Sequence, residues 1–297
     1  MKNEKRRSTA IRRTRGEVVF DTVNYVVLTL LAIVTLYPVI NVLAISLSSY
    51  TGYLKNPAML VPQEFNFEAY KSILSNSLIT SAYKNTIKVA VIGTCVNLML
   101  TVLTAYPLAK GRLRGSRVIM FGIVFTMMFS GGMIPMFLVV RGLKLLDTHW
   151  ALILPTAIGT SNLIIVKNFF EGIPDSLLES ARLDGAGEWQ ILLRLVIPLS
   201  VPVLATITLF YAVGNWNRLF DAVMYINSRS NWTLPILLKE IITENSELLL
   251  DPSVASQVYP KTMQCATIAV TVLPIMCVYP FLQRFFMKGI MLGAVKG

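Results

Sequence analysis

Residues Glu171–Pro202 read EGIPDSLLESARLDGAGEWQILLRLVIPLSVP. The segment is a polar, helix-forming insertion between two long apolar stretches, so the chain must leave an apolar phase here and re-enter it. Pro174 and Asp175 form a helix-start signal, with Asp175 as N-cap for Ser176–Leu183. Asp184 is placed to cap a second helix, and Gly185 and Gly187 loosen the joint between the two. In that second helix Trp189, Leu192, Leu193 and Val196 fall at i, i+3, i+4 and i+7. They make one apolar face, while Glu188, Gln190 and Arg194 supply polar surface. Pro198 and Pro202 mark entry to the next apolar stretch. A short helix across a membrane mouth, charged outward and apolar inward, suits capture by another protein. A helix that simply lies on lipid has the same pattern, and both readings stand at this point.

The flanking sequence supplies the membrane. The 297-residue chain is 54% hydrophobic and only 14% charged, against roughly 45–50% apolar and about 25% charged residues in soluble domains. Its mean hydropathy is +0.61. Disorder and a disulfide scaffold are both excluded, the latter by three Cys in the whole chain. A bilayer core needs about 20 mostly apolar residues per helix. The stretches Tyr25–Leu47, Thr86–Ala109, Val118–Val140, Trp150–Phe170, Leu199–Phe220 and Ala266–Phe286 qualify. The expected fold is an all-α integral membrane protein with six transmembrane helices and a cytoplasmic loop between spans 4 and 5. It divides into a basic tail (1–24), one six-span membrane domain (25–287, with the loop at 171–198) and a short C-terminal tail (288–297). The first apolar run is too long for a signal-peptide h-region and lacks an Ala-x-Ala site, so it reads as a retained anchor.

Charge placement orients these spans. Seven of the 27 Lys+Arg lie between Lys2 and Arg15, and Lys110, Arg112, Arg114 and Arg117 crowd one loop. With Arg284, Lys288 and Lys296, they fall on one side of a six-span protein, which makes both termini cytoplasmic. Lys84 and Lys88 flank the second span on the opposite side, against this trend. The net charge of +11 therefore points to membrane lipid and not to nucleic acid, since no base-stacking aromatics interleave the basic tail. The outer segments are Ser48–Asn85, Arg141–His149 and Asp221–Lys261. Within them, Asn66–Leu78 suits a short amphipathic helix and Leu234–Ile242 a surface helix.

Enzymatic chemistry finds little support. The single histidine, His149, has no second ligand at metal spacing and sits beside Trp150 at a predicted interface. Cys95, Cys265 and Cys277 lie in or beside apolar spans without a C-x-x-C motif. No phosphate loop of the G-x-x-x-x-G-K-[ST] type is present, so no ATP hydrolysis is expected of this chain. The span cores carry no ionisable residue of the kind an ion-coupled carrier keeps at the midplane; Lys88 and Lys167 lie near span ends.

The Glu171–Pro202 segment resembles the EAA loop of ABC-importer permeases. Its pattern is Glu-Ala-Ala, two residues, Asp-Gly-Ala, and later an apolar residue before Pro-x-x-x-Pro. Glu179, Ala181, Asp184, Gly185, Ala186, Pro198 and Pro202 stand at the matching places, with Ser180 for the first Ala. Phe129–Pro155, Asn215–Val223 and Gln283–Gly297 resemble the carbohydrate branch of these permeases, including those for uronate-containing oligosaccharides. The resemblance covers nearly the whole chain after the basic tail.

That resemblance implies a subunit of the bacterial cytoplasmic membrane that pairs with a second permease chain. Two ATPase subunits would sit on its cytoplasmic face, and an extracytoplasmic substrate-binding protein would deliver the sugar. The chain itself would hold no cofactor or metal; ATP and Mg would belong to the ATPases. Glu179, Ser180, Ala181, Arg182, Asp184, Gly185 and Ala186 would form the ATPase interface. There Glu179 would ion-pair with the partner, Arg182 would hold the carboxylate, and Gly185 would permit the bend. Trp189 and Leu192 would anchor the loop to the membrane domain. Asn215, Trp216 and Asn217, about 25 Å along their span at 1.5 Å per residue, suit either sugar contact or an interface anchor. Gly131 and Gly132, with Pro135, are expected to break the third span and either line the pathway or serve tight packing. A permease for a non-sugar solute, or a non-transporting structural or receptor subunit, remains open.

Overall fold

The computed structural model describes residues 14–110, 113–129, 131–243, 261–274 and 276–277. The basic N-terminal tail up to Arg13, Arg112, the outer stretch 244–260 and the C-terminal tail lie outside the described residues. Within them the regular structure is helical, with one isolated antiparallel bridge between Ser48 and Phe65. The order is α1 (Arg15–Ser46), α2 (Tyr50–Lys55), α3 (Glu68–Ser75), α4 (Ser77–Ala109), α5 (Ser116–Met128), α6 (Met133–Gly142) and α7 (Trp150–Ile153). There follow α8 (Thr160–Glu171), α9 (Asp175–Leu183), α10 (Glu188–Ile191), α11 (Ile197–Leu199), α12 (Val201–Trp216), α13 (Phe220–Tyr225) and α14 (Leu234–Thr243). A π-helical turn, Leu192–Val196, links α10 to α11, and a further helical stretch covers 261–274.

Helix α1 starts at Arg15, well before the span expected from Tyr25. The cause is a capping box: the Thr14 side chain accepts from the Glu17 amide, and the Glu17 carboxylate accepts from the Thr14 amide at 2.9 Å. Its apolar side chains stay exposed from Val18 to Leu43, and only Ala44, Ile45 and Ser46 are buried. An apolar helix of this kind is stable only in lipid or against another chain.

Two helices are individually long and apolar enough to cross a bilayer, Gly16–Ser46 and Ser77–Ala109. Two bent pairs reach that length together, α5 with α6 and Glu188–Leu199 with α12. The third predicted span is interrupted where expected, between Met128 and Met133. The fourth is not a single helix. It divides into α7 and α8 because Pro155 and Gly159 fall inside it, and 154–159 is irregular. The sixth is helical as far as it is described, and its remainder lies outside the described residues. The predicted outer helix in Asn66–Leu78 is α3. Leu234–Ile242 is α14, which buries Leu234, Ile236, Leu237 and Ile241 on one face and leaves Lys239 and Ile242 exposed on the other.

Helix α4 is the central pillar. Small side chains along it (Ala82, Ala90, Gly93, Ala105) are buried, which lets neighbouring backbones come close where lipid provides no hydrophobic drive between helices. Its C-terminal half packs with Leu163, Phe170, Leu178, Leu192 and Ile207 in one cluster. Its N-terminal half joins Ile73, Leu237 and Met263 in a second cluster, and Leu152, Tyr225 and Ile236 in a third. The end of α8, the whole of α9 and α10, and the start of α12 therefore gather at one end of the bundle.

Candidate functional site

The EAA-type loop is built by local hydrogen bonds. Helix α9 begins at Asp175 with Pro174 in the cap position, and no side chain caps it. Asp175 is thus the first helical residue and not the N-cap expected from sequence. Its carboxylate instead meets Lys110, whose Nζ lies 3.1 Å from Asp175 Oδ1 and 3.1 Å from the Ile173 carbonyl. At the other end Asp184 is the C-cap of α9 and does not start the next helix. Gly185 follows at φ +85°. Its amide donates to Arg182 O at 2.9 Å, and the Ala186 amide donates to Ala181 O at 3.0 Å. This 6→1 and 5→2 pair is the Schellman termination, which needs a left-handed residue where glycine sits. Ala181 and Ala186, brought together by it, both pack on the core. Gly185 is therefore a hydrogen-bonded stop and not a loosened joint.

The second helix starts at Glu188 behind Gly187, whose amide donates to Gln190 Oε1 at 3.1 Å. The expected single apolar face is divided. Leu192 and Val196 are buried, with Ile191 beside them, while Leu193 and Trp189 are 59% and 65% exposed. The π-turn over Leu192–Val196 shifts side chains off the 3.6-residue spacing on which that face was counted. Leu192 packs in the first cluster of the bundle, whereas Trp189 stays exposed. Beyond Ser200 the axis turns by 83° into α12, so α10 and its continuation run almost crosswise to that helix.

Two residues of α4 tie this loop to the bundle. Tyr106 donates to Glu188 Oε2 at 2.6 Å, and Lys110 makes the contacts already given. Arg182 Nε donates to the other oxygen of Glu188 at 3.2 Å, so Arg182 braces Glu188 and not Glu179. The outer face of α9 is left open: Glu179 is exposed and pairs with no described residue, Ser180 and Asp184 are exposed, and Leu183 is 89% exposed. Tyr106 and Glu188 escaped the sequence reading because their 82-residue separation carries no spacing signal.

The residues expected to touch sugar fare differently. Asn215 is 3% exposed and fully engaged. Its Nδ2 donates to Asn97 Oδ1 at 3.0 Å and to Thr94 Oγ1 at 3.4 Å, and its Oδ1 accepts from Arg218 Nη2 at 2.9 Å. Asn97 in turn donates to the carbonyls of Thr156 and Ala157, both at 2.8 Å. Arg218 also donates to Thr156 Oγ1 and to Asp221 Oδ2, the latter at 3.0 Å. Gly93 makes room for this: a Cβ there would lie 2.8 Å from Asn215 Nδ2. Asn215 is thus a structural tie between α4, α12 and the break after α7, and it is not free to bind substrate. A buried amide in a membrane core must be satisfied in this way. Trp216 is half-buried in the second cluster and walls an apolar cavity of about 350 Å³ between α4 and α12. Asn217 is exposed, as are Gly131 and Gly132; Gly132 starts α6 at φ +86°. No hydrogen bond among the described residues joins that break to Asn215. No group of three or more metal-ligating side chains occurs among the described residues.

A bundle of apolar helices around one pillar, with an EAA-type loop held crosswise at one end, defines an importer permease. Residues 98–291 match the family described as binding-protein-dependent transport system inner membrane component, and the chain belongs to that family. Such chains are non-enzymatic membrane components, and ATP is hydrolysed in separate subunits. The chain is 44% identical over 281 residues to the polygalacturonan/rhamnogalacturonan transport system permease protein YtcP of Bacillus subtilis (strain 168), covering 94% of this chain and 98% of that protein. It is 40% identical over 286 residues to protein LplC of the same organism, covering 96% and 97%. Among solved structures it resembles a chain from the crystal structure of a bacterial ABC transporter involved in the import of the acidic polysaccharide alginate. The TM-score is 0.87 at 36% identity, over 92% of this chain and 99% of that one.

Proposed function

We propose that this chain is the permease subunit through which an ATP-driven importer carries a uronate-containing oligosaccharide across the cytoplasmic membrane. Helix α9 is the element that an ATPase subunit grips. The observation that carries the proposal is the division of α9 into two faces. Leu178 and Ala181 are turned into the bundle, while Glu179, Ser180, Asp184 and Leu183 are open on the outside. Tyr106 and Lys110 transmit any displacement of the loop to α4, because both bond to it directly. ATP-driven closure of two ATPases would then draw two such loops together and open the pathway outward, and hydrolysis would restore the inward state.

The relatives support the substrate class, since one is a polygalacturonan/rhamnogalacturonan permease and another belongs to an importer of acidic alginate. The apolar faces of α1, α5 and α6 are exposed and suit lipid and a second permease chain. An extracytoplasmic binding protein would deliver the sugar at the opposite end. The basic loop around Lys110 shares the α9 end of the bundle, which favours a cytoplasmic position for that end and for both termini.

The test is Glu179→Arg in the complete importer, reconstituted in liposomes with its ATPases and binding protein. Because Glu179 is exposed, the variant should fold and insert normally while holding its ATPases less firmly. Oligogalacturonate uptake and substrate-stimulated ATP hydrolysis should fall together by tenfold or more, with partial rescue by an acidic replacement in the ATPase cleft. Unchanged uptake would remove α9 from energy coupling.

A further inference from the structure

At the end of the bundle opposite α9, a polar pocket of about 370 Å³ opens between α4, α7 and the turn after α13. Its walls include Asn85, Lys88, His149, Trp150 and Asn231, over a floor containing the buried Val89 and Ile153. None of these residues except Trp150 and His149 drew notice in the sequence as a boundary feature, and only Lys88 stood out as a cation on the wrong side for the charge rule. Each polar atom's state can be followed.

Asp147, the one carboxylate on the rim, is consumed. It accepts the backbone amides of Asn227 and Ser228 at 3.0 and 2.9 Å and the Ser228 hydroxyl. The Ser228 hydroxyl, and after it the Ser228 amide, hold its carboxyl below the usual range. Asn85 spends both Nδ2 protons on the carbonyls of Ser230 and Trp232, at 2.8 and 2.9 Å. That leaves Oδ1 as an acceptor. His149 Nε2 lies 3.2 Å from the Asn231 carbonyl, which can only accept, so Nε2 carries the proton. Burial, with the Lys88 ammonium adding to it against the opposing pull of the Asn231 carbonyl and Asp147, holds the imidazole below its usual range. At neutral pH His149 is therefore uncharged, and its Nδ1 is a second acceptor. Lys88 is exposed and makes no ion pair with any described residue. Trp150 is 47% exposed beside it.

Asn231, whose Nδ2 donates to the Asp147 carbonyl at 2.8 Å, adds its Oδ1, so the pocket offers one cation, several lone-pair acceptors and one aromatic face. A bare anion would meet Lys88 but be repelled by these acceptors, and a neutral sugar would leave the ammonium unused. We propose that this pocket is an outer subsite for a single uronate residue of the transported oligosaccharide. The carboxylate pairs with Lys88, ring hydroxyls donate to Asn85 Oδ1 and His149 Nδ1, and the C–H face of the sugar lies on Trp150. A cavity of this size matches one sugar ring within the usual range for small-ligand sites. The proposal rests on the uronate reading of the substrate and deepens it.

The probes are trigalacturonate and its fully methyl-esterified, uncharged counterpart. Ile92→Cys, on the pocket wall, reports occupancy through its rate of thiol modification in nanodiscs, resolved by mass spectrometry from native Cys95. Millimolar trigalacturonate should slow that modification at least fivefold and the ester should not, and Lys88→Met should abolish the protection while Lys88→Arg retains it. In the complete importer, Lys88→Met should lower the uptake ratio of acid to ester about tenfold. Protection without uptake of either probe would leave the site standing and overturn the uronate-import reading. Uptake of the acid with no protection, or with an unchanged ratio in Lys88→Met, would overturn the site. Protection by phosphatidylglycerol in place of trigalacturonate would reassign it to a lipid headgroup and equally overturn it.

Discussion

The α9 end of the bundle and the Asn215 junction midway along α4 use polar residues in opposite ways. At the α9 end, the bonds that shape the motif are short-range. Gly185 to Arg182 and Ala186 to Ala181 close the helix within one turn, and the outward side chains are left unpaired. At the Asn215 junction the bonds that join the helices are long-range. Asn215 and Asn97 are 118 residues apart in sequence, Arg218 and Thr156 are 62 apart, and every amide proton is spent inside the protein. An open surface whose polar side chains face outward has to hold its shape by local means. A buried junction has no water to fall back on, so its valences close across helices. Lys88 and its pocket combine the two: a closed frame of amides and an aspartate, with one charge kept free.

Breaking the long-range junction should have the largest effect. Asn97→Leu strips the Thr156 and Ala157 carbonyls of the Asn97 amide and Asn215 Nδ2 of one of its two acceptors; at about 1–3 kcal/mol for each buried group left unsatisfied, a loss of about 3 kcal/mol is expected. It should appear as a clearly lowered unfolding temperature in detergent and poor assembly of the importer. Equal stability of Asn97→Leu and the parent would mean the junction is not structural.

Next comes the local stop. Nothing lies within 4 Å of a Cβ placed on Gly185, so a substitution there meets only backbone strain at φ +85°. Gly185→Val should cost about 1–2 kcal/mol from the left-handed conformation. Hydrogen exchange should rise over α9 and α10 while the Asn215 junction stays protected. Exchange rising throughout the bundle would show that the two regions are not separable in this way.

Tyr106→Phe should do less. It removes one hydrogen bond to a charged acceptor, about 1.5–3 kcal/mol when intact and partly offset by Arg182 on the same carboxylate. The expected result is near-parental unfolding temperature with severalfold weaker coupling of ATP hydrolysis to uptake. Parental coupling would remove α4 from the transmission path.

The smallest effect concerns the outer turn at α2. Glu64 accepts from Ser49, Thr51 and Lys55, which hold its carboxyl at about 2 against an ordinary value of 4.5. Because the folded value is depressed, its contribution is present above pH 4.5 and fades as pH falls towards 2. Exchange over 48–65, corrected for intrinsic rate, should quicken across that window, and Glu64→Gln should flatten the change. A pH response retained in Glu64→Gln would assign it to another group.

Much of the molecule was legible from residue order alone. The apolar runs demanded a membrane, Gly131–Gly132 announced the break in the third predicted span, and the Pro174–Leu183 pattern placed a polar helix, whereas the stop at Gly185 had read as a loose joint. These are local features, encoded by neighbours within a few residues. Where sequence reasoning failed, the partner lay far away or the periodicity changed. Trp189, which a 3.6-residue count had buried, is exposed, and the spacing changes at the π-turn over Leu192–Val196. Arg182 turned from Glu179 to Glu188 because Tyr106, on a distant helix, had already drawn that carboxylate inward. Asn215, which looked free to hold a sugar, is occupied because the fold brings Asn97 and Arg218 to it. Sequence by itself determined that the chain is built of long apolar runs and that a polar helical insertion separates two of them, since transfer energies and helix propensity depend on adjacent residues. Only the tertiary structure decided which polar side chains are spent and which, like Glu179 and Lys88, remain available, because hydrogen-bond valence is settled between helices.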